Sequence, residues 1–284
     1  MAITAAKVME LRTSTGAGMM ECKKALEETG GDMEGAKDWL RKKGISVAQK
    51  KAGRETSEGA VAVAISPDKK NGAIVQLACE TDFVARNERY QELMVQLTAQ
   101  ALKNGGENLA DQPSITGKGK VSDLLTENIA KMGENLQLVA ADRVGVAGQG
   151  VVGGYVHSNN KVGVLVVINS DKPVDAAKLS ELAKDVSMHI AASQVSAISS
   201  KDLDPALLEK EKEILIAQAK ESGKPMDIIE KMVQGRISKF IKEISLLDQP
   251  FVKNPDLSIQ ALLKQMGKEL GGDLTVARFV KYQF

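Results

Sequence analysis

Twice in this 284-residue chain, two short β-prone runs flank a polar turn and lead into a segment of helical period. That repeat limits the fold more than any other feature. Residues 59–65 and 73–79 lie either side of a turn at 67–72. A helical pattern follows, with Asn87 as its cap and Tyr90, Leu93, Met94, Leu97 and Ala101 on one face. Residues 151–156 and 162–168 flank Ser158-Asn159-Asn160-Lys161, and a helix from 175 to about 192 comes next. Each copy closes on a further helix and strand: 122–132 and 136–147 in the first, 258 onward and 274–282 in the second. The quartets Gly72-Ala73-Ile74-Val75 and Gly163-Val164-Leu165-Val166 sit at matching places in the two copies. Hairpins followed by helices predict an α+β class, here as a duplicated core.

Two helical additions decorate this core. Before it, apolar positions Ile3, Val8 and Leu11, then Met19, Met20, Cys22, Ala25 and Leu26, then Met33, Ala36, Trp39 and Leu40 mark three short helices. Gly16-Ala17-Gly18, Gly30-Gly31 and Gly44 break them. Residues 45–58 read as a solvated linker. Inside the second copy, Asp204-Pro205 starts a helix running to Ser222, Gly223-Lys224-Pro225 turns the chain, and a second helix runs from 226 to about 244. Each arm would be about 28 Å long at 1.5 Å per residue, which predicts a protruding antiparallel helical hairpin over about 204–244. The expected divisions are 1–54 for the helical module and linker, 55–148 for the first half of the core and 149–284 for the second.

Composition excludes several function classes. The 38 Lys and Arg balance 37 Asp and Glu, so nothing resembles the excess of positive charge with which general nucleic-acid binders neutralise phosphates. One tryptophan, three tyrosines and five phenylalanines are scattered and form no stacking platform. No run approaches the ~18 apolar residues of a membrane helix, and Met1-Ala2-Ile3-Thr4 does not open a secretory signal. Two cysteines, Cys22 and Cys79, give no disulfide framework and fit a reducing cytoplasm.

No catalytic constellation is legible. Gly148-Gln149-Gly150-Val151-Val152-Gly153 spells G-x-G-x-x-G, but a strand rather than a helix follows, so a bend between strands is expected in place of a dinucleotide cradle. Cys22, Cys79, His157 and His189 lack zinc-ligand spacings, and Cys22 and His189 read as packing residues. No metal and no cofactor are expected. Residues 1–54 carry 11 Lys/Arg against 7 Asp/Glu, which leaves a rival reading in which this module holds RNA or a ubiquitin-like partner. Arg41-Lys42-Lys43 and Lys50-Lys51 otherwise read as solvated helix ends. Of the neighbours Met19 and Met20, only one can point inward on a helix, and the other would offer an adaptable apolar tip to a partner. Glu80-Thr81-Asp82-Phe83-Val84-Ala85 admits two readings. Thr81 or Asp82 caps a coming helix with Phe83 packed as a staple, or an acidic group and a ring stand on a strand-to-helix corner as a wedge for another protein.

Several stretches together resemble the bacterial elongation factor Ts family. They are Leu11-Arg12-Thr13-Ser14-Thr15-Gly16-Ala17-Gly18-Met19-Met20-Glu21-Cys22-Lys23-Lys24-Ala25-Leu26, Glu80-Thr81-Asp82-Phe83-Val84-Ala85-Arg86-Asn87, Gly154-Tyr155-Val156-His157 with Lys161-Val162-Gly163-Val164-Leu165, Met188-His189-Ile190-Ala191-Ala192, Ser222-Gly223-Lys224-Pro225 with Lys231-Met232-Val233-Gln234-Gly235-Arg236, and Gln249-Pro250-Phe251-Val252. The resemblance implies a ubiquitin-associated-like three-helix module, a duplicated α+β core and a coiled-coil hairpin through which higher assembly is possible. It implies nucleotide exchange on elongation factor Tu in the cytoplasm, with no enzymatic step, no direct nucleic-acid contact and no membrane. By the same resemblance, Thr81, Asp82, Phe83 and Val84 would disturb the partner's Mg²⁺ site, while Arg12, Met19, Met20 and His157 would make other contacts to it. Many members of the family continue past the last strand with a G-E-G-I-E-K-like stretch and a helix. This chain stops at Lys281-Tyr282-Gln283-Phe284, so contacts made by such a helix are not carried over.

Overall fold

Capping chemistry sets the boundaries of the N-terminal helices. The computed structural model describes residues 3–220 and 225–284. Thr4 caps α1 (Ala5–Thr15), and Gly16, at φ +67°, ends it in the left-handed conformation that a side chain would oppose. α2 (Met19–Glu28) follows, and the Asp32 carboxylate accepts from Gly35 N at 2.9 Å to start α3 (Met33–Lys51). Val8, Leu11, Cys22, Ala25, Leu26 and Ala36 form the buried centre of the three helices. Met19 and Met20 do not join it. Both are exposed, at 40% and 73%, so the expectation that one of them turns inward fails.

The third helix also outruns its expected end. Gly44 lies inside α3, and residues 45–51 are helix rather than linker. The reason is close packing. A Cβ on Gly44 would come within 3.3 Å of the Ala130 Cβ, so the absent side chain lets α3 approach α6 (Val121–Met132). That packing compensates the roughly 1 kcal/mol a helical glycine costs. Lys43 pairs with Glu21 at 3.0 Å and lies over the Trp39 ring, and Lys51 Nζ donates to the Gly133 carbonyl. These two lysines therefore serve the fold rather than a solvated helix end.

β1 (Glu58–Ile65) and β2 (Asn71–Cys79) form the first hairpin. A four-residue helix, α4 (Asp82–Ala85), precedes α5 (Glu88–Asn104). Asn87 Oδ1 caps α5 by accepting from Arg89 N at 2.9 Å. After α6, β3 (Leu136–Gly145) completes a sheet of order β1-β2-β3. Alternation along β2 is lost because both faces are covered, and Val75, Leu77, Tyr90, Leu93, Leu97 and Ile129 belong to one buried cluster.

The second copy repeats the plan. β4 (Gly150–Val156) and β5 (Val162–Ser170) pair antiparallel from Gly150↔Asn169 to Val156↔Gly163, and α7 (Ala176–Ala192) follows with Asp175 as its cap. The glycine pattern is structural. A Cβ at Gly150 would lie 2.4 Å from the Ile168 carbonyl oxygen, and one at Gly153 would lie 2.5 Å from the Ala183 Cβ. A strand follows it, so no helix N-terminus faces a phosphate, and the dinucleotide reading is set aside.

α8 (Pro205–Lys220) and α9 (Met226–Ile244) run antiparallel. Leu215 and Ala219 cluster with Ile229 and Val233, and Leu208 with Phe240 and Ile241. The expected turn at Gly223-Lys224-Pro225 and the extension to Ser222 fall at or beside residues 221–224, outside the described residues. β6 (Pro250–Phe251) and β7 (Asn254–Ser258) make a short hairpin that the apolar periodicity did not reveal. α10 (Ile259–Leu270) and β8 (Leu274–Gln283) close the copy in a sheet of order β4-β5-β8. The class is α+β. The chain divides into two compact units, one of residues 1–62, 73–143 and 282–284, the other of 63–72 and 144–281.

Candidate partner-binding corner

Four hydrogen bonds, three of them from backbone N–H groups, hold the corner at the end of β2. Thr81 donates its N–H to Glu134 Oε2 at 3.0 Å and its hydroxyl to Glu134 Oε1 at 2.6 Å. The same hydroxyl accepts from Val84 N at 3.4 Å, which caps α4. In the opposite direction, Glu80 Oε1 accepts from Asn135 N at 2.7 Å. The segments 80–81 and 134–135 thus exchange carboxylate-to-backbone bonds, which are stronger than neutral ones. The Asn135 N–H, and after it Arg54 at 3.3 Å, hold the Glu80 carboxyl below its usual range. Cys79 Sγ lies 3.1 Å from the Thr81 carbonyl oxygen.

This clamp decides which side chains face out. Ala85 is buried and Val84 packs partly against the first-unit core. Phe83, between them and Asp82, is 83% exposed, so it is not a staple. Asp82 pairs with Arg86 at 3.1 Å and keeps 44% of its side chain open. The cap half of the staple reading holds, through Thr81, while the ring stands on the corner. A cleft lined by Val84, Asn87, Glu88, Arg89, Glu92, Lys131 and Met132 borders it.

The other expected contact residues fall in two places. Arg12, Met19 and Met20 are exposed around the α1–α2 turn. A Cβ on Gly16 of that turn would lie 3.2 Å from an Arg89 guanidinium nitrogen, which sets the turn beside the start of α5. His157 belongs to the second unit. It is exposed at the end of β4, with Nδ1 3.1 Å from the Tyr155 hydroxyl. His189 is buried, as a packing residue should be. Its Nδ1 accepts from Val252 N at 3.2 Å, so Nε2–H donates to Gln249 Oε1 at 2.8 Å, and burial pushes its pKa down. Cys22 is buried as well. Among the described residues, no three His, Cys, Asp or Glu side chains gather as a metal site. No helix among them is long and apolar enough to cross a membrane.

Residues 80–284 match the family described as Elongation factor TS. Relatives extend the match over the whole chain. An Elongation factor Ts from Nitratidesulfovibrio vulgaris is 46% identical over 285 residues, covering 100% of this chain and 96% of that protein. One from Lawsonia intracellularis is 41% identical over 290 residues, covering 100% and 99%. The chain belongs to the elongation factor Ts family. An Elongation factor Ts from Rhodospirillum centenum adds a third case, 46% identical over 288 residues with 99% and 92% covered. Membership places the chain among the translation elongation factors of protein biosynthesis.

Glu134 is the residue that reading the sequence missed. Its only local signal is Gly133, at φ +76°, ending α6 just before it. Nothing local connects it to Thr81, 53 positions earlier.

Proposed function

We propose that this protein is a guanine nucleotide exchange factor for elongation factor Tu, with the corner 81–84 as its working element. The observation that carries this reading is the 83% exposure of Phe83 on a corner clamped by Glu134. A large ring held in water on a short, capped helix gains little for the fold, and its apolar surface is free to be buried by a partner. Phe83 would wedge into the GTPase domain, Asp82 would act on the water network holding Mg²⁺, and Thr81 and Val84 would hold both in place. Arg12, Met19, Met20 and His157 would add contacts elsewhere on the same partner. We further propose the divisions 1–54, 55–148 and 149–284, and the hairpin at 204–244 as a protruding surface through which higher assembly can form.

The physical logic is linkage. A factor that binds the nucleotide-free GTPase more tightly than the nucleotide-bound one must weaken nucleotide binding by the same ratio. Disturbing Mg²⁺ removes the largest positive charge beside the diphosphate. GTP rebinds from excess, and this protein makes and breaks no covalent bond. Its place of action is the cytoplasm, where elongation runs.

Release of a fluorescent GDP analogue from purified elongation factor Tu tests the reading. Micromolar protein should accelerate release, and a rate unchanged from the GTPase alone would overturn it.

A further inference from the structure

We infer that Glu134 is a positioning residue for exchange, acting through Thr81 to hold Phe83 and Asp82 at the angle the partner requires; the inference rests on the exchange reading above. Three observations converge on it. First, one carboxylate takes both polar hydrogens of Thr81, at 3.0 and 2.6 Å, so backbone and side chain are fixed together. Second, the hydroxyl held by Glu134 is the one that accepts from Val84 N, so the bond to Glu134 continues directly into α4. Third, Glu134 is itself held at its base. Gly133 closes α6 with its N–H on Ile129 O at 2.9 Å, Lys51 donates to the Gly133 carbonyl, and Asn135 N donates to Glu80 at 2.7 Å.

A four-residue helix cannot fix its own orientation, because nucleating a single turn is unfavourable without outside support. The apolar anchors of this one are Ala85 and part of Val84, both on the side facing the core. Gln91 Nε2 holds the far end of the helix at the Ala85 carbonyl, 2.6 Å away, while the end carrying Asp82 and Phe83 is held by the Thr81 cap, and the cap by Glu134. The corner is preorganised by a residue that lies outside the segment and meets no part of a bound partner in this account. Preorganisation matters because a wedge that must first be ordered spends on that ordering the binding free energy that would otherwise displace the nucleotide, which slows release from the bound complex.

Glu134→Ala and Glu134→Gln separate this role from a general loss of structure. The measurement is GDP release from elongation factor Tu as a function of this protein's concentration, giving a maximal rate and a half-saturating concentration. It is made at a temperature where thermal unfolding shows each variant folded. Glu134→Ala should lower the maximal rate by about tenfold or more, the factor that a single hydrogen bond to a charged group carries, and leave half-saturation within twofold of the parent. Glu134→Gln, which keeps an acceptor for the Thr81 hydroxyl, should recover part of that loss. Thr81→Val combined with Glu134→Ala should lose less than the product of the two single losses, because the hydroxyl-to-carboxylate bond is common to both. A maximal rate for Glu134→Ala within twofold of the parent would overturn the inference. So would a loss confined to half-saturation, or losses that multiply in the double variant. Failure of the parent protein itself to accelerate release is a separate outcome, which removes the exchange reading and this inference with it.

Discussion

The Tyr90 hydroxyl reaches across the first-unit core to donate to the Leu77 carbonyl at 2.5 Å, and it accepts from the Ala60 N–H at 3.1 Å. One side chain of α5 therefore satisfies a polar group on each of β1 and β2 where neither can meet water. The phenol is fully buried, and burial raises its pKa. Tyr90→Phe keeps the ring but strands both backbone groups, which should cost about 1–3 kcal/mol in urea unfolding at pH 7. The sign with pH follows from the raised pKa. The unfolded tyrosine ionises near pH 10 and the folded one only above that, so this contribution is complete at neutral pH and declines as pH rises past about 10. The gap between parent and Tyr90→Phe should narrow over that range, and a gap that stays constant to pH 11 would refute the account.

Gly153 makes the second prediction. An added Cβ would meet the Ala183 backbone carbonyl carbon and Cβ at 2.5 Å, and a helix backbone cannot yield as a flexible side chain does. Gly153→Ala should therefore destabilise the protein by about 1–3 kcal/mol through overpacking between β4 and α7. Gly235→Ala is the control. A Cβ there meets nothing within 4 Å, and inside α9 it should stabilise slightly. Equal midpoints for Gly153→Ala and the parent in thermal unfolding would contradict the packing account.

These two glycines show where the sequence could be read and where it could not. The repeat of hairpin and helix, the cap at Asn87 and the Asp204-Pro205 start are local signals, and all appear in the structure. The run through Gly44 was misread because a glycine in a helical pattern ends the helix unless another element packs on it. Ala130, which does so, is 86 positions away. The expectation that one of Met19 and Met20 turns inward fails for a related reason: Val8, Leu11, Cys22, Ala25, Leu26 and Ala36 make up the buried centre of the small module without either of them. At the candidate site, Thr81 to Val84 stood out as a motif and through family resemblance. Glu134 did not, because a clamp between segments far apart in sequence leaves no periodicity to detect.

His189 gives a prediction in acid. Its Nδ1 accepts from Val252 N and burial lowers its pKa, so the folded protein holds it neutral while the unfolded chain protonates near pH 6.5. The unfolded state then binds more protons below that point, and the contribution, complete above about pH 6.5, is lost as pH falls. His189→Phe should be less stable than the parent at pH 8, since Val252 N–H and Gln249 lose a partner. Its deficit should shrink between pH 7 and pH 5. Gln249 also donates to the carbonyls of Gln194 and Glu243, so the protection of α9's C-terminal amides, corrected for the intrinsic slowing of exchange in acid, should fall as pH is lowered in the parent. Parallel stability curves for parent and variant across that window would exclude a titrating His189.

Phe83→Ala separates folding from function most sharply. The ring is 83% exposed, so truncation removes almost no buried area, and the unfolding free energy should move by less than about 0.5 kcal/mol. Exchange should respond very differently. If the ring fills a pocket on elongation factor Tu, its loss should slow maximal GDP release by roughly tenfold or more, as for a central interface anchor. Phe83→Leu, which keeps apolar volume without the ring, should fall between. Asp82→Asn distinguishes the neighbouring role. It weakens the Arg86 pair, which is exposed and contributes little to stability. Its effect on release should fade as free Mg²⁺ is lowered with chelator, while that of Phe83→Ala persists. An Asp82→Asn deficit that ignored Mg²⁺ would remove the metal from the proposed mechanism and leave the wedge acting on shape alone.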